Sequence, residues 1–295
     1  MKASSRSKGV LCILASAFGF AVMAAFVRLC DDLGAPVSSF QKSFFRNVIA
    51  LVIAAAVYAR AVGGGAGRVG NGKIPALSGK GWALLLLRAA LGTAGIFANF
   101  YALSHIPIAE GQTLNKTAPF FTVLFSWLVL GERANARQAL TLAFAFVGVL
   151  LVAKPGFAGE EAFPLAVGLM SGVCAGGAYA CLHKLGLMKV HGAFIILFFS
   201  AFSCLASVPF MLHRLDPMTF RQVATLIGAG AGAAAGQFGI TSAYRFAEPR
   251  QIAVFDYASI LFAALFGFAL FGQVPDALSV LGFVVIILAA LRMRT

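Results

Sequence analysis

Apolar residues run through this chain in blocks of about twenty, separated by short polar segments, with no sustained alternation of the kind a half-buried strand shows. A bilayer core of about 30 Å needs roughly 20 helical residues at a rise of 1.5 Å each. Ten windows meet that length: 9–29, 39–62, 81–103, 108–130, 136–154, 163–185, 191–212, 219–245, 250–271 and 276–292. The pattern predicts an all-α integral membrane protein of ten transmembrane helices. The connections are short and rich in turn residues, as in Asp31-Asp32-Leu33-Gly34-Ala35-Pro36, Lys154-Pro155-Gly156, Asp216-Pro217 and Gln273-Val274-Pro275-Asp276. They leave little room for an extramembrane domain. The glycine-rich stretch from Gly63 to Lys73 has only the outline of a phosphate loop, because Ile74 follows the lysine and no strand precedes it, so it reads as a linker.

Composition strengthens this picture. The 295 residues are 60% hydrophobic and 11% charged, against roughly 25% charged for a soluble domain. The formal charge of +13 is carried on segments between apolar blocks, so it describes membrane topology and no nucleic-acid partner is expected. With the N-terminus placed in the cytoplasm, fifteen Lys and Arg fall on that side and five (Arg28, Lys42, Lys154, Arg214 and Arg221) on the other. Both termini are therefore expected in the cytoplasm, in a bacterial inner membrane. Lys2, Arg6 and Lys8 precede an apolar stretch of some twenty residues, which reads as a first span and not as a cleaved leader. The five cysteines (Cys12, Cys30, Cys174, Cys181 and Cys204) show no ligand spacing and read as small buried apolar residues. No metal or cofactor is expected.

Sliding the chain on itself by 141 residues superposes Gly95 and Phe97 on Gly236 and Phe238, Ala102 on Ala243, Leu124-Phe125 on Leu265-Phe266, and Gly131 on Gly272. Pro107 and Pro249 open the helices that these glycines close. The reading is an internal duplication, 1–155 and 156–295. Five spans is an odd number, so the second copy lies upside down relative to the first. Inverted five-helix repeats are a recurring transporter architecture with the substrate near the midplane. The sixth and eighth windows also carry glycine at every fourth position, Gly168, Gly172 and Gly176, and Gly228, Gly232 and Gly236. Such faces let helices approach closely, here as static packing.

Ionisable groups inside a span cost several kcal/mol unless paired or hydrated. Arg46, Arg88, Lys116 and Asp256 stand out on that ground. For Arg88 a headgroup or structural contact is as good a reading as a functional one. Pro119 cannot donate to the carbonyl of Asn115, which predicts a break in the fourth span beside Lys116. Under the 141-residue shift Asn115 and Lys116 fall on Asp256 and Tyr257, so polar pairs occupy equivalent points of the fourth and ninth spans. Entering from opposite sides, they are expected to be offset by roughly 10 Å along the normal, a gap for a substrate to bridge. Lys116 would then hold an anionic group, and Asp256 an ammonium or a coupling proton. The expected substrate-binding set is Arg46, Asn99, Tyr101, Gln112, Asn115, Lys116, Tyr179, Gln237, Asp256 and Tyr257, with His183 a lesser candidate. Glu110, at the opening of the fourth span, reads first as a capping residue.

Several local motifs recur in order: Phe45-Arg46-Asn47, Phe100-Tyr101-Ala102-Leu103, Asn115-Lys116-Thr117-Ala118-Pro119, Leu130-Gly131-Glu132-Arg133 and Gly148-Val149. By their order and spacing the chain resembles the EamA-type branch of the drug/metabolite transporter superfamily. The resemblance implies ten helices from a duplicated five-helix unit. The second copy departs from the pattern in carrying Gln273 where the first has Glu132. The expected function is a secondary transporter, proton-coupled or exchanging, for a small metabolite that is amino-acid-like or carries an anionic group. It would work by alternating access as a monomer or homodimer in the lipid bilayer. A lipid flippase or scramblase and a membrane-embedded enzyme are the alternatives, the latter lacking any clustered His, Asp or Glu. No nucleotide-binding motif is present to let ATP drive it.

Overall fold

The computed structural model describes residues 2–35, 37–63, 77–105, 114–153, 162–213, 215–272 and 274–294. Among them every regular element is helical: α1 (Lys2–Asp32), α2 (Ser39–Gly63), α3 (Gly79–His105), α4 (Ala118–Leu130), α5 (Ala136–Ala153), α6 (Ala162–Leu187), α7 (Gly192–His213) and α8 (Phe220–Phe246). The short α9 (Pro249–Ile252) follows, then a 3-10 segment (Ala253–Tyr257), α10 (Ala258–Phe271) and α11 (Ala277–Arg294). Seven stretches are long and apolar enough to cross a membrane, the last being Pro249–Phe271, and Ala118–Val129, Ala136–Val152 and Ala277–Arg292 are shorter apolar helices. The glycine-rich linker, the Lys154-Pro155-Gly156 turn, Pro107, Glu110, Gln112 and Gln273 lie outside the described residues.

The surface confirms the solvent. Leu205 is 74% exposed and Leu140 66%, and large apolar side chains stand out on nearly every helix. Contiguous apolar surface on that scale is found where lipid covers it. The interior is built by helix pairs: α1 packs on α8, α3 on α6, α2 on α7 and α8, α5 on α11, α4 on α6, α10 on α1 and α3 on α7.

Without a hydrophobic drive between helices in lipid, close backbone approach does the packing. The glycine faces show where. Gly232 and Gly236 on α8 lie against α1, and a methyl group added at Gly19 would come within 2.5 Å of the Gly236 nitrogen and 2.9 Å of the Gly232 carbonyl. On α6, Gly168, Gly172 and Gly176 receive Leu114, Thr117 and the first turn of α4. Where α5 crosses α11, Gly148 and Gly282 each approach the other's carbonyl.

Two spans are not continuous: the fourth, where a break was expected beside Lys116, and the ninth, where none was. In the fourth window, residues 114–117 form a turn in which the Thr117 amide and hydroxyl both donate to the Leu114 carbonyl, at 3.2 and 2.7 Å. The helix proper starts at Ala118, with Pro119 in its first turn, where a missing N–H costs nothing. In the ninth, the 3-10 segment carries Asp256 between α9 and α10. Each ends at a left-handed glycine, Gly131 (φ 71°) and Gly272 (φ 62°), where only glycine escapes the Cβ penalty.

The α1–α8 contact generates a stability prediction. Gly19→Ala forces backbone against backbone, which costs about 1–3 kcal/mol when a packed interface is overfilled, so the melting temperature of the detergent-purified protein falls by several degrees. Gly79→Ala, at a site with nothing within 4 Å, leaves it unchanged. Equal melting temperatures for both variants would show that α1 and α8 are not in this contact.

Candidate functional site

The two interrupted spans meet. Lys116 Nζ lies 3.6 Å from Asp256 Oδ2, with side chains 17% and 9% exposed, and donates to Ser259 Oγ at 2.6 Å. The Ser259 hydroxyl in turn donates to the Asp256 carbonyl at 2.8 Å. The expectation that only a substrate would bridge the two groups is therefore not met: the pair is direct. The five residues of 3-10 helix, at about 2.0 Å rise each against 1.5 Å in an α-helix, add only about 2.5 Å, and the long lysine stem supplies most of the reach.

Around this pair the interior is aromatic and basic. Tyr179 of α6 sits within electrostatic reach of Asp256, Arg88 and Arg46. Its ring lies 5.6 Å from that of Tyr244 on α8. Tyr257 is fully buried with its hydroxyl unpaired. Arg88 is 2% exposed, with its guanidinium carbon 3.9 Å above the Phe199 ring of α7. Its Nε and Nη1 have no hydrogen-bond partner, and neither has Arg46 Nε. A headgroup contact for Arg88 is excluded by that burial.

The carboxylates explain why the arginines are unpaired. Among the described residues Asp31 pairs with Lys42, Asp32 with Arg28, Glu132 with His183, Glu248 with Arg250 and Asp256 with Lys116. Asp216 and Asp276 accept from the amides of Ser38 and Ser279. Arg46 and Arg88 are thus left without a carboxylate partner among the described residues. The excess is positive, and it is desolvated.

The other expected residues scatter. Asn115 donates to Ser171 Oγ at 3.1 Å, tying the fourth span to α6. A buried amide needs such a partner. Asn99 and Gln237 are partly or fully buried and each keeps one side-chain atom unpaired. Tyr101 is exposed, its ring stacked on His105 at 4.1 Å and edge-on to Phe163. Ser259 was not expected, and only its place three residues past Asp256 pointed to it.

A second polar cluster lies at the C-terminal end of α4. His183 Nδ1 sits 2.6 Å from the Tyr244 carbonyl and Nε2 2.9 Å from Glu132 Oε1. The carbonyl only accepts, so Nδ1 carries a proton, and the second bond needs one more, held by His183 or by Glu132. Arg250 joins its edge, donating to Glu248 at 2.7 Å and to the Arg133 carbonyl at 2.6 Å. These bonds draw α4, α6, α8 and α9 together at one end of the bundle. In the turn before α7, His191 is held below the ordinary histidine range by burial and by nearby Arg245, so it adds no charge there near neutral pH.

Comparison with known proteins places this geometry. The model of the EamA-like transporter family matches residues 7–154. The chain is 31% identical to the pseudopaline exporter CntI of Pseudomonas aeruginosa over 286 residues, covering 97% of this chain and 95% of that protein. It is 26% identical to human solute carrier family 35 member G1, over 93% of this chain and 75% of the relative. A riboflavin transporter of Brucella anthropi is 26% identical over 65% of this chain and 69% of its own length. One crystal structure, 17% identical, superposes with a TM-score of 0.79 over 97% of this chain and 96% of that one, a likeness of fold. The chain belongs to the EamA-like transporter family of the drug/metabolite transporter superfamily, and it is a multi-pass membrane transporter and not an enzyme.

Proposed function

We propose that this protein is a secondary active transporter, coupled to protons or to exchange, that carries a small metabolite with an anionic group across a bacterial inner membrane by alternating access. The observation that carries the proposal is the Lys116–Asp256 pair at the meeting of two interrupted spans. Discontinuous helices near the midplane are where secondary transporters bind solutes. An ion pair there can exchange partners: a substrate's anionic group takes Lys116, and Asp256 is freed for an ammonium or a proton. The unpaired arginines favour an anionic or amino-acid-like solute. Similarity to an exporter along nearly the full length supports outward transport.

Two inverted five-helix repeats, 1–155 and 156–295, supply the moving parts in this proposal. The helix pairings support it. Exchanging each span with the one five places away turns α1 on α8 into α6 on α3, α4 on α6 into α10 on α1, and α2 on α8 into α7 on α3, all of which occur. The pairings α2 on α7 and α5 on α11 map onto themselves. With both termini cytoplasmic, the Glu132–His183–Tyr244 cluster closes the cytoplasmic side of the site.

In proteoliposomes, Lys116→Ala and Asp256→Asn should each abolish uptake or exchange of the solute that the wild type carries. Each change also strands a buried charge, at a cost of about 3–5 kcal/mol, so Lys116→Met/Asp256→Leu serves as the folded, inactive control. Full transport by both single variants would remove the pair from the mechanism. For the closure, His183→Phe should raise severalfold the rate at which a cytoplasmic, membrane-impermeant thiol reagent labels Ser259→Cys in a background lacking the five native cysteines. An unchanged rate would mean that this cluster does not gate access.

A further inference from the structure

Beyond the Lys116–Asp256 pair, the interior holds two guanidinium groups that nothing in the described protein neutralises. Arginine stays protonated in proteins, and a desolvated charge without a counter-charge costs several kcal/mol. Such a group persists where something other than stability requires it. Arg88 is held firmly all the same. Its face rests on Phe199 at 3.9 Å, a cation–π contact that fixes the plane of the fork without occupying its N–H donors. One turn further along α3, Gly92 is what admits the guanidinium, since a methyl group there would come within 2.5 Å of Nη1 and 2.8 Å of the Phe199 ring. The guanidinium is oriented, closely packed and unpaired at Nε and Nη1.

Arg46 approaches from α2. It lies within electrostatic reach of Arg88 and of Tyr179, and its Nε is likewise buried and unpaired. Two like charges so placed repel, and only an anion between or beside them relieves both. Tyr179 lies within electrostatic reach of both arginines and of Asp256, so the arginines and the Lys116–Asp256 pair belong to one polar interior.

We infer that Arg46 and Arg88 form a subsite for two carboxylates of one substrate, so that the carried solute is a small organic dianion and not a simple zwitterion. This rests on the transport function proposed above. A planar fork pairs with a carboxylate through two parallel N–H···O bonds. Two forks on different helices, α2 and α3, suit two separate carboxylates better than one compact group. Two carboxylates would also neutralise the two guanidinium groups that no described carboxylate pairs.

Full-length protein in detergent would be tested by thermal shift and titration calorimetry with matched probes at equal ionic strength: glutamate against glutamine, succinate against butyrate, and phosphoserine against serine. Glutamate and succinate should stabilise the protein well beyond their monoanionic or zwitterionic partners. Arg46→Gln and Arg88→Gln should each weaken that binding by roughly tenfold or more, as loss of a charge-assisted bidentate contact does. Arg88→Lys, which keeps the charge and loses the fork, should recover only part. Without ligand, Arg88→Gln should melt no lower than the wild type, because it removes an unpaired buried charge; a purely structural arginine would lower the melting point. The inference is overturned if glutamine and butyrate bind as well as their dicarboxylate partners, if phosphoserine alone stabilises, or if the dicarboxylate preference survives both glutamine substitutions. Dianion binding without transport in proteoliposomes would sink the transport function alone. Transport of a monoanion with no dianion preference would sink this subsite alone.

Discussion

In a hydrocarbon core every backbone N–H and C=O must find a partner within the protein, so a helix can be interrupted only where side chains or a second helix take up the freed groups. This constraint organises the bundle. At the break in the fourth span, the Thr117 hydroxyl takes the Leu114 carbonyl and Asn115 reaches Ser171. In the ninth, the Ser259 hydroxyl takes the Asp256 carbonyl and receives Lys116. The glycine face of α6 exists to admit the first of these breaks: Gly172 and Gly176 have no room for a methyl group against Thr117 and the first turn of α4. Packing glycines and polar pairs are thus parts of one solution.

The same pair joins fold and function because it is short of being optimal as a structural ion pair. Lys116 and Asp256 stand at 3.6 Å while Lys116 makes its close contact, 2.6 Å, with Ser259. A buried pair of this kind contributes little net stability, since desolvation offsets the attraction. In the proposed function its worth would lie in being exchangeable. The neighbouring arginines share that character, being placed and oriented without being neutralised.

Much of this was legible in the sequence, and the reasons divide by range. Hydropathy needs only local runs, so the seven long apolar helices, the three shorter ones and the turn residues Gly131 and Gly272 fall within or at the ends of the apolar windows. A lysine beside a proline was enough to mark the break at 114–117. The direct pairing of Lys116 with Asp256 was not legible, because the reach of a lysine stem between helices and the five residues of 3-10 helix at Asp256 leave no mark in the sequence. Pairings across the chain left no local trace: nothing in the spacing of Glu132 and His183, or of Arg88 and Phe199, brings them together. Tyr101, polar and apt in sequence, is exposed beside His105 because a residue's face is decided by neighbours that its own helix does not contain.

The two polar clusters are linked through a single helix on each side. α4 runs from the Lys116 turn to Gly131 and Glu132, and α6 places Tyr179 beside Asp256 only one turn before His183 reaches Glu132. In the proposed transport cycle, a solute that draws Lys116 off Asp256 would pull on the same α4 whose far end is held by His183. Thirteen residues of α-helix make a short, stiff element, so under that proposal the two clusters would respond to the solute together, as coupling between separate sites requires.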